Sequence, residues 1–301
     1  MTAATHLIGN HRYFITAYLQ AFRSTGNLFL LLKALSLILR QGRTRELVYG
    51  MYCALVHRPS PLRPESRDRD VIPGLTRRPG VWPEGVLSRD RLVELYDGKF
   101  DVRSLPPDFQ GARRESVWED EGSVVIGEYG EDCRVAYVTP GSCALSEYYR
   151  GEPGVRHIHA IEKFGEEGQF LVATGDRHKF LDLWGLSDGR PSFERRITRH
   201  LAGFTAAIRL NGEYYFGTDF SGRPNWIETL NGRRFFFPRK AYRLHVTDFY
   251  GLLDRYILSI NTELVVVGGR KTLSIFDTVT QRFIYCDYWV RNTGQPLDRA
   301  A

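Results

Sequence analysis

Two histidines two residues apart, His157 and His159, are the first residues in the chain with the types and spacing for chemistry. On a β-strand that spacing puts both side chains on one face, with the preceding Arg156 on the other. Imidazole exchanges protons near neutral pH, so such a pair suits general acid–base work. Three acids in related surroundings offer the other half of a candidate site: Glu128 in GEYG (127–130), Asp176 in TGD (174–176) and Asp219 in GTD (217–219). Paired carboxylates are what cleavage of a glycosidic bond requires, one held protonated and one ionised. With an aspartate the histidines could instead hold a divalent metal, but no third ligand follows at the tight spacing of metal sites. No other cofactor is expected. Tyr129, Trp184, Tyr215 and Trp226 are candidates to stack on a sugar ring, with Arg156 and Asn225 as further substrate contacts. Each group also has a plainer use: acids at strand ends cap turns, and aromatics fill cores.

The elements that would position these residues are short strands. SVVIG (123–127), QFLVAT (169–174), EYYFG (213–217) and YILSI (256–260) are apolar or alternating runs bounded by Gly, Asp, Asn and Ser. Each ends in a small residue followed by a polar one, and the small residues Gly127, Gly175, Gly217 and Ser259 are 48, 42 and 42 residues apart. Propeller blades of four antiparallel strands repeat at about 40–50 residues. One complete unit reads as strands 155–164, 169–175, 179–186 and 192–198, and a second as 203–210, 213–218, 225–230 and 233–238. Four units fit between 108 and 290, and 86–105 could supply another. The expected fold is mainly β, a β-propeller of about five blades preceded by a helical segment. In each blade the start of the first strand and the end of the second share one end, so Glu128, His157, His159, Asp176 and Asp219 are expected around the channel mouth.

Residues 1–57 read as a helical, basic segment, 58–83 as a linker and 84–301 as the propeller. Residues 1–60 hold seven Lys/Arg and one acid, Glu46. Six of the 14 prolines fall within 58–83. A basic amphipathic segment can lie on an anionic membrane surface, although helices that pack on their own protein are commoner. The run 28–39, LFLLLKALSLIL, is too short to span a bilayer, which takes about 20 apolar residues. Residues 1–103 carry 16 Lys/Arg and 9 Asp/Glu, a difference of +7, whereas 104–301 carry 25 and 26, a difference of −1. This uneven balance argues against a nucleic-acid-binding propeller. Cys53, Cys133, Cys143 and Cys286 form no C-x-x-C pair, and free thiols are expected. With no secretory signal pattern, a cytoplasmic protein, at most peripheral at the membrane, is expected.

GEYG, VRHIHAI (155–161), TGD and GTD in this order resemble bacterial sialidase-like propeller proteins with Asp-box-type repeats, a group associated with polysaccharide functions. Ser187-Asp188-Gly189-Arg190-Pro191-Ser192-Phe193 is similar to an Asp box that has lost the spacer before Asp. The resemblance covers roughly 120–230. It implies a glycan context and carries no established reaction. Joined to the strand-end residues, it makes the leading expectation a propeller that binds a glycan or glycolipid at the channel mouth through Glu128, His157, His159, Asp176 and Asp219, and that could also hydrolyse or modify it. The arginine cluster and nucleophilic tyrosine of sialidases have no counterparts that can be placed on this chain. The competing expectation is a non-enzymatic scaffold, docked to a membrane or partner through its basic helices.

Overall fold

In the computed structural model the described residues are 86–96, 98–120, 122–152, 154–165, 168–176, 178–220, 224–263 and 271–288, together with 58–61, Leu32 and Val56. The helical segment expected over 1–57 and the linker expected over 58–83 lie almost entirely outside them. Leu32 and Val56 are helical and more than half exposed, at 56% and 54%.

The described chain forms four antiparallel sheets, each a meander in sequence order. Blade 1 holds β1 (Val86–Leu87), β2 (Ala112–Asp120), β3 (Ser123–Glu128), β4 (Val135–Thr139) and β5 (Ser142–Ser146). Blade 2 holds β6 (Val155–Lys163), β7 (Phe170–Asp176), β8 (Phe180–Ser187) and β9 (Arg190–Arg199). Blade 3 holds β10 (Phe204–Leu210), β11 (Glu213–Thr218), β12 (Trp226–Thr229) and β13 (Arg234–Phe236). Blade 4 holds β14 (His245–Leu252), β15 (Tyr256–Thr262), β16 (Lys271–Asp277) and β17 (Arg282–Tyr288). Among the described residues the fold is a β-propeller with four blades, where about five were expected.

The missing blade has a physical reason. Residues 86–105 form only the two-residue β1, the helix α1 (Arg89–Tyr96) and a 3-10 turn at Val102–Ser104. Leu92, Tyr96, Phe100 and Leu105 pack onto Val124, Ile126 and Val138 of blade 1. The segment therefore covers the face of blade 1 that looks away from blade 2, as a helical wedge and not as a sheet. Its apolar residues 92 and 96 are a helical repeat apart and share one helix face. Gly111 admits this arrangement: its φ is +139°, and a Cβ there would lie 2.1 Å from the Leu87 carbonyl oxygen.

Three further cores lie between consecutive blades. Val125 and Val135 meet Ile158 and Ile161 between blades 1 and 2. Leu171 and Leu183 meet Phe204 and Phe216 between blades 2 and 3. Tyr215 and Ile227 meet Val246, Phe249 and Ile257 between blades 3 and 4. Gly127 and Gly217, in the second strand of their blades, have a packing role. A Cβ on Gly127 would lie 2.4 Å from Ile158 Cγ2, and one on Gly217 would lie 2.4 Å from Val246 Cγ1. Both contacts are with the first strand of the following blade. The sequence repeat is thus in part the footprint of close blade stacking.

The degraded Asp box is the β8–β9 turn. Asp188 and Gly189, the two-residue loop closed by the pair Ser187↔Arg190, have φ of 51° and 72°. Two consecutive positive φ values match the right-handed twist of a hairpin and favour Asp-Gly.

Candidate functional site

With blade 1 counted from β2, the two-residue β1 being an extra strand, the register puts the first-strand starts and second-strand ends of all four blades at one mouth: Ala112↔Glu128, His157↔Gly175, Phe204↔Thr218 and His245↔Thr262. Most of the residues expected there are present, but their partners are mainly other parts of the propeller.

Glu128 has no exposed surface. Arg134 grips it in a two-point pair, with Nε to Oε2 at 2.8 Å and Nη2 to Oε1 at 2.9 Å. The backbone N–H groups of Gln110 and Arg134 also donate to it, at 2.8 and 3.2 Å. Arg134 reaches on to Asp108 at 2.9 Å. The Arg134 N–H that Glu128 accepts lies at the entrance to the third strand. Thr174 and Thr218 have the same position: Phe180 N donates to Thr174 Oγ1 and Trp226 N to Thr218 Oγ1, each at 2.9 Å. The structural repeat therefore aligns Glu128 with Thr174 and Thr218. Asp176 and Asp219 lie beyond that position by two residues and one residue, so the three acids are not equivalent. This corrects the expectation taken from the sequence spacing.

His157 and His159 lie at the mouth on the same side as Tyr129. The rings of Tyr129 and His157 stack at 4.1 Å and 10°, and those of Tyr129 and His159 at 5.9 Å and 19°. Tyr129 and His157 are half-buried. Bulges interrupt β6 between Val155 and His157 and between Ile158 and Ala160. Arg156, half-buried, lies in the first of them. Gly175 makes room for the second histidine, because a Cβ there would lie 2.0 Å from His159 Cε1. Asp176 ends β7 opposite Val155, and its side chain lies outside the described residues.

Asp219 is buried, and its Oδ1 is hydrogen-bonded to His245 Nδ1. Burial would raise its pKa. The charge and hydrogen bond of His245, with the positive fields of Lys179 and His159, outweigh that and hold the carboxyl well below the usual range. Lys179 Nζ donates to Ala202 O at 2.9 Å and to Asp219 O at 3.1 Å. The groups link the blades in series: Tyr129 to His157 for blades 1 and 2, Lys179 to Asp219 for 2 and 3, and Asp219 to His245 for 3 and 4.

The other expected ligand contacts are internal. Trp184 is fully buried opposite Phe170, at the end of blade 2 away from the mouth, and donates to Tyr149 Oη at 3.1 Å. Tyr215 packs between blades 3 and 4. Asn225 braces its loop, accepting from Thr218 Oγ1 at 2.9 Å and Phe220 N at 2.8 Å and donating to Phe220 O at 2.9 Å. Trp226 is fully buried and donates to Glu228 Oε2 at 2.6 Å. His200 and Arg234 complete that cluster, at 3.1 and 2.9 Å from Glu228 Oε2. Burial pushes the Glu228 carboxyl up, but the His200 hydrogen bond and the Arg234 charge bring it below its ordinary value.

Sequence reasoning passed over Arg134, Lys179, His200 and His245. His245 had an available signal, since it opens the first strand of blade 4 much as His157 does in blade 2. Among the described residues no group of three or more His, Cys, Asp or Glu side chains is placed to hold a metal ion. Cys133, Cys143 and Cys286 form no disulfide among the described residues. Among the described residues no helix is long and apolar enough to cross a membrane.

No family model matches the chain, and no curated protein matches it. Among solved structures it is similar to the computationally designed Ika8 protein, with 12% identity and a TM-score of 0.38 over 57% of this chain and 48% of that one. It is also similar to the β-propeller domain of Myceliophteria thermophila Cps50 (Swd1), with 15% identity and a TM-score of 0.40 over 60% of this chain and 58% of that one. The chain thus spans about half of the first and under two thirds of the second, and these likenesses bear on neither ligand nor activity.

Proposed function

We propose that the protein is a non-enzymatic interaction propeller. The observation that carries this reading is the use of the mouth acids within the fold. Glu128 is closed into its pair with Arg134, and Asp219 is held ionised by His245 while its own carbonyl anchors Lys179. A glycosidase needs one carboxyl that keeps its proton near neutral pH and a second that faces the same bond. An aspartate held below the usual range has no proton to give at pH 7. The sialidase-like, glycan-cleaving reading accordingly ranks second. What favours a sugar ligand is the half-buried Tyr129–His157 stack, an aromatic surface at the mouth.

The experiment is a turnover and binding screen of the full chain on a glycan panel, with Asp219→Asn beside it. The scaffold reading expects no turnover by the wild type. Turnover that disappears in a folded Asp219→Asn protein would overturn it.

The proposed partner surface for the N-terminal segment is an anionic membrane. Supporting this are its charge balance and the helical, exposed Leu32 and Val56. Flotation of the full chain with phosphatidylcholine vesicles containing phosphatidylglycerol should occur at low salt and decline at high salt. Failure to float at low salt would remove the membrane part of the proposal.

A further inference from the structure

The junction between blades 4 and 1 is built differently from the other three. Among the described residues it is made near the axis by two neighbouring arginines of β2. Arg113 Nη2 donates to Thr247 O at 3.0 Å, and the Arg114 guanidinium lies over the Tyr250 ring at 4.1 Å. Both arginines belong to a wide bulge. Ala112 pairs with Glu128 and Val117 with Ile126, so 113–116 stand opposite Gly127 alone. Ser116 pins the bulge, accepting from Arg113 N at 3.0 Å, with its Oγ 2.9 Å from Gly127 O.

The bulge also carries Glu115, whose side chain is only 8% exposed. Its Oε1 has no hydrogen-bond partner, and Arg114 Nη1 stands 3.9 Å away, beyond hydrogen-bond reach. The charged groups that act on Glu115 come from three inner strands: Arg113 and Arg114 of β2, Asp248 of β14 and Glu162 of β6. Burial and the two facing acids oppose a charge on Glu115 more than the two arginines favour it. The carboxyl is pushed up to about 8.

We propose that Glu115 is a neutral carboxylic acid in the closed ring, and that its ionisation loosens the junction between blades 4 and 1. Losing the proton to solvent would place a third negative charge beside Asp248 and Glu162, in a site that cannot hydrate it. It would also draw Arg113 and Arg114 away from Thr247 and Tyr250. The ring then opens at its thinnest joint, next to the β1 entry of the chain. A carboxyl raised in the folded state contributes its full stability below its ordinary value and loses it as pH rises to the folded value.

The test compares wild type with Glu115→Gln, which keeps the shape of the neutral acid. Between about pH 4.5 and 8 the wild-type folding constant should fall relative to the variant by up to about tenfold per pH unit. Hydrogen exchange at pH 9, corrected for the intrinsic rate, should quicken in β2 and β14 of the wild type and not of the variant. Parallel pH profiles, or equal exchange in both proteins, would overturn the proposal. If Glu115→Gln fails to fold, infrared spectroscopy of the wild type decides. A protonated-carboxyl band at pH 6.5 that vanishes by pH 9.5 supports the proposal, and its absence at pH 6.5 refutes it.

Discussion

Replacing Arg134 by Met tests whether Glu128 is part of the scaffold. The substitution keeps most of the side-chain bulk and leaves a carboxylate with zero exposure and only the Gln110 and Arg134 N–H donors. Removing one partner of a buried pair costs about 3–5 kcal/mol, because the remaining charge stays desolvated. For a domain of this size each kcal/mol moves Tm by about 2–4 °C, so the melting point should fall by about 6–20 °C. Changing both residues, Glu128→Met with Arg134→Met, should recover much of that loss, since apolar replacement of a whole buried pair is often close to neutral. The lost backbone acceptor at the third-strand entrance leaves a residue of about 1–3 kcal/mol. The assay is thermal unfolding by circular dichroism on the two single variants and the double variant. If Arg134→Met melts within about 2 °C of the wild type, the desolvated-pair reasoning is wrong for this site.

Other outcomes follow from the same contacts. Gly175→Ala should destabilise by about 1–3 kcal/mol through overpacking against the His159 ring, and adding His159→Ala should restore part of it, both read from denaturant midpoints. Asp219 is depressed in the folded state, so its contribution is present above the ordinary aspartate value and lost as pH falls through the folded one. Stability profiles of wild type and Asp219→Asn should therefore converge below about pH 4, and profiles that stay parallel would contradict this. Trp184→Phe should cost stability through the unfilled volume and the lost bond to Tyr149, with no change in any ligand affinity found at the mouth.

The strand pattern was legible because each blade obeys local rules. Apolar alternation marks 123–127 and 213–217, and Asp188-Gly189 and Asn211-Gly212 supply the positive φ their hairpins need. The blade number was less legible. Residues 86–105 have the length and alternating apolar residues of a blade fragment, but the run 89–96 lets Leu92 and Tyr96 share a helix face, and the wedge buries them better than an isolated strand pair would. The site was legible as a location and not as a set of roles. Sequence spacing gathers polar residues at strand ends, but whether an acid there meets a substrate or an internal cation depends on residues distant in the chain. Asp219 meets His245 26 positions away and Lys179 40 positions away. The repeat was also misphased in blade 2, where Thr174, not Asp176, holds the capping position at the entrance to β8.

If the mouth residues hold the blades together, removing one charged partner should loosen both neighbouring blades. Hydrogen exchange of Asp219→Asn against the wild type at pH 7 tests it most directly. Exchange should be faster on both sides of the pair, at the end of β11 and the start of β14, with β7 and β8 less affected. Unchanged exchange across β11 and β14 in the folded variant would contradict it.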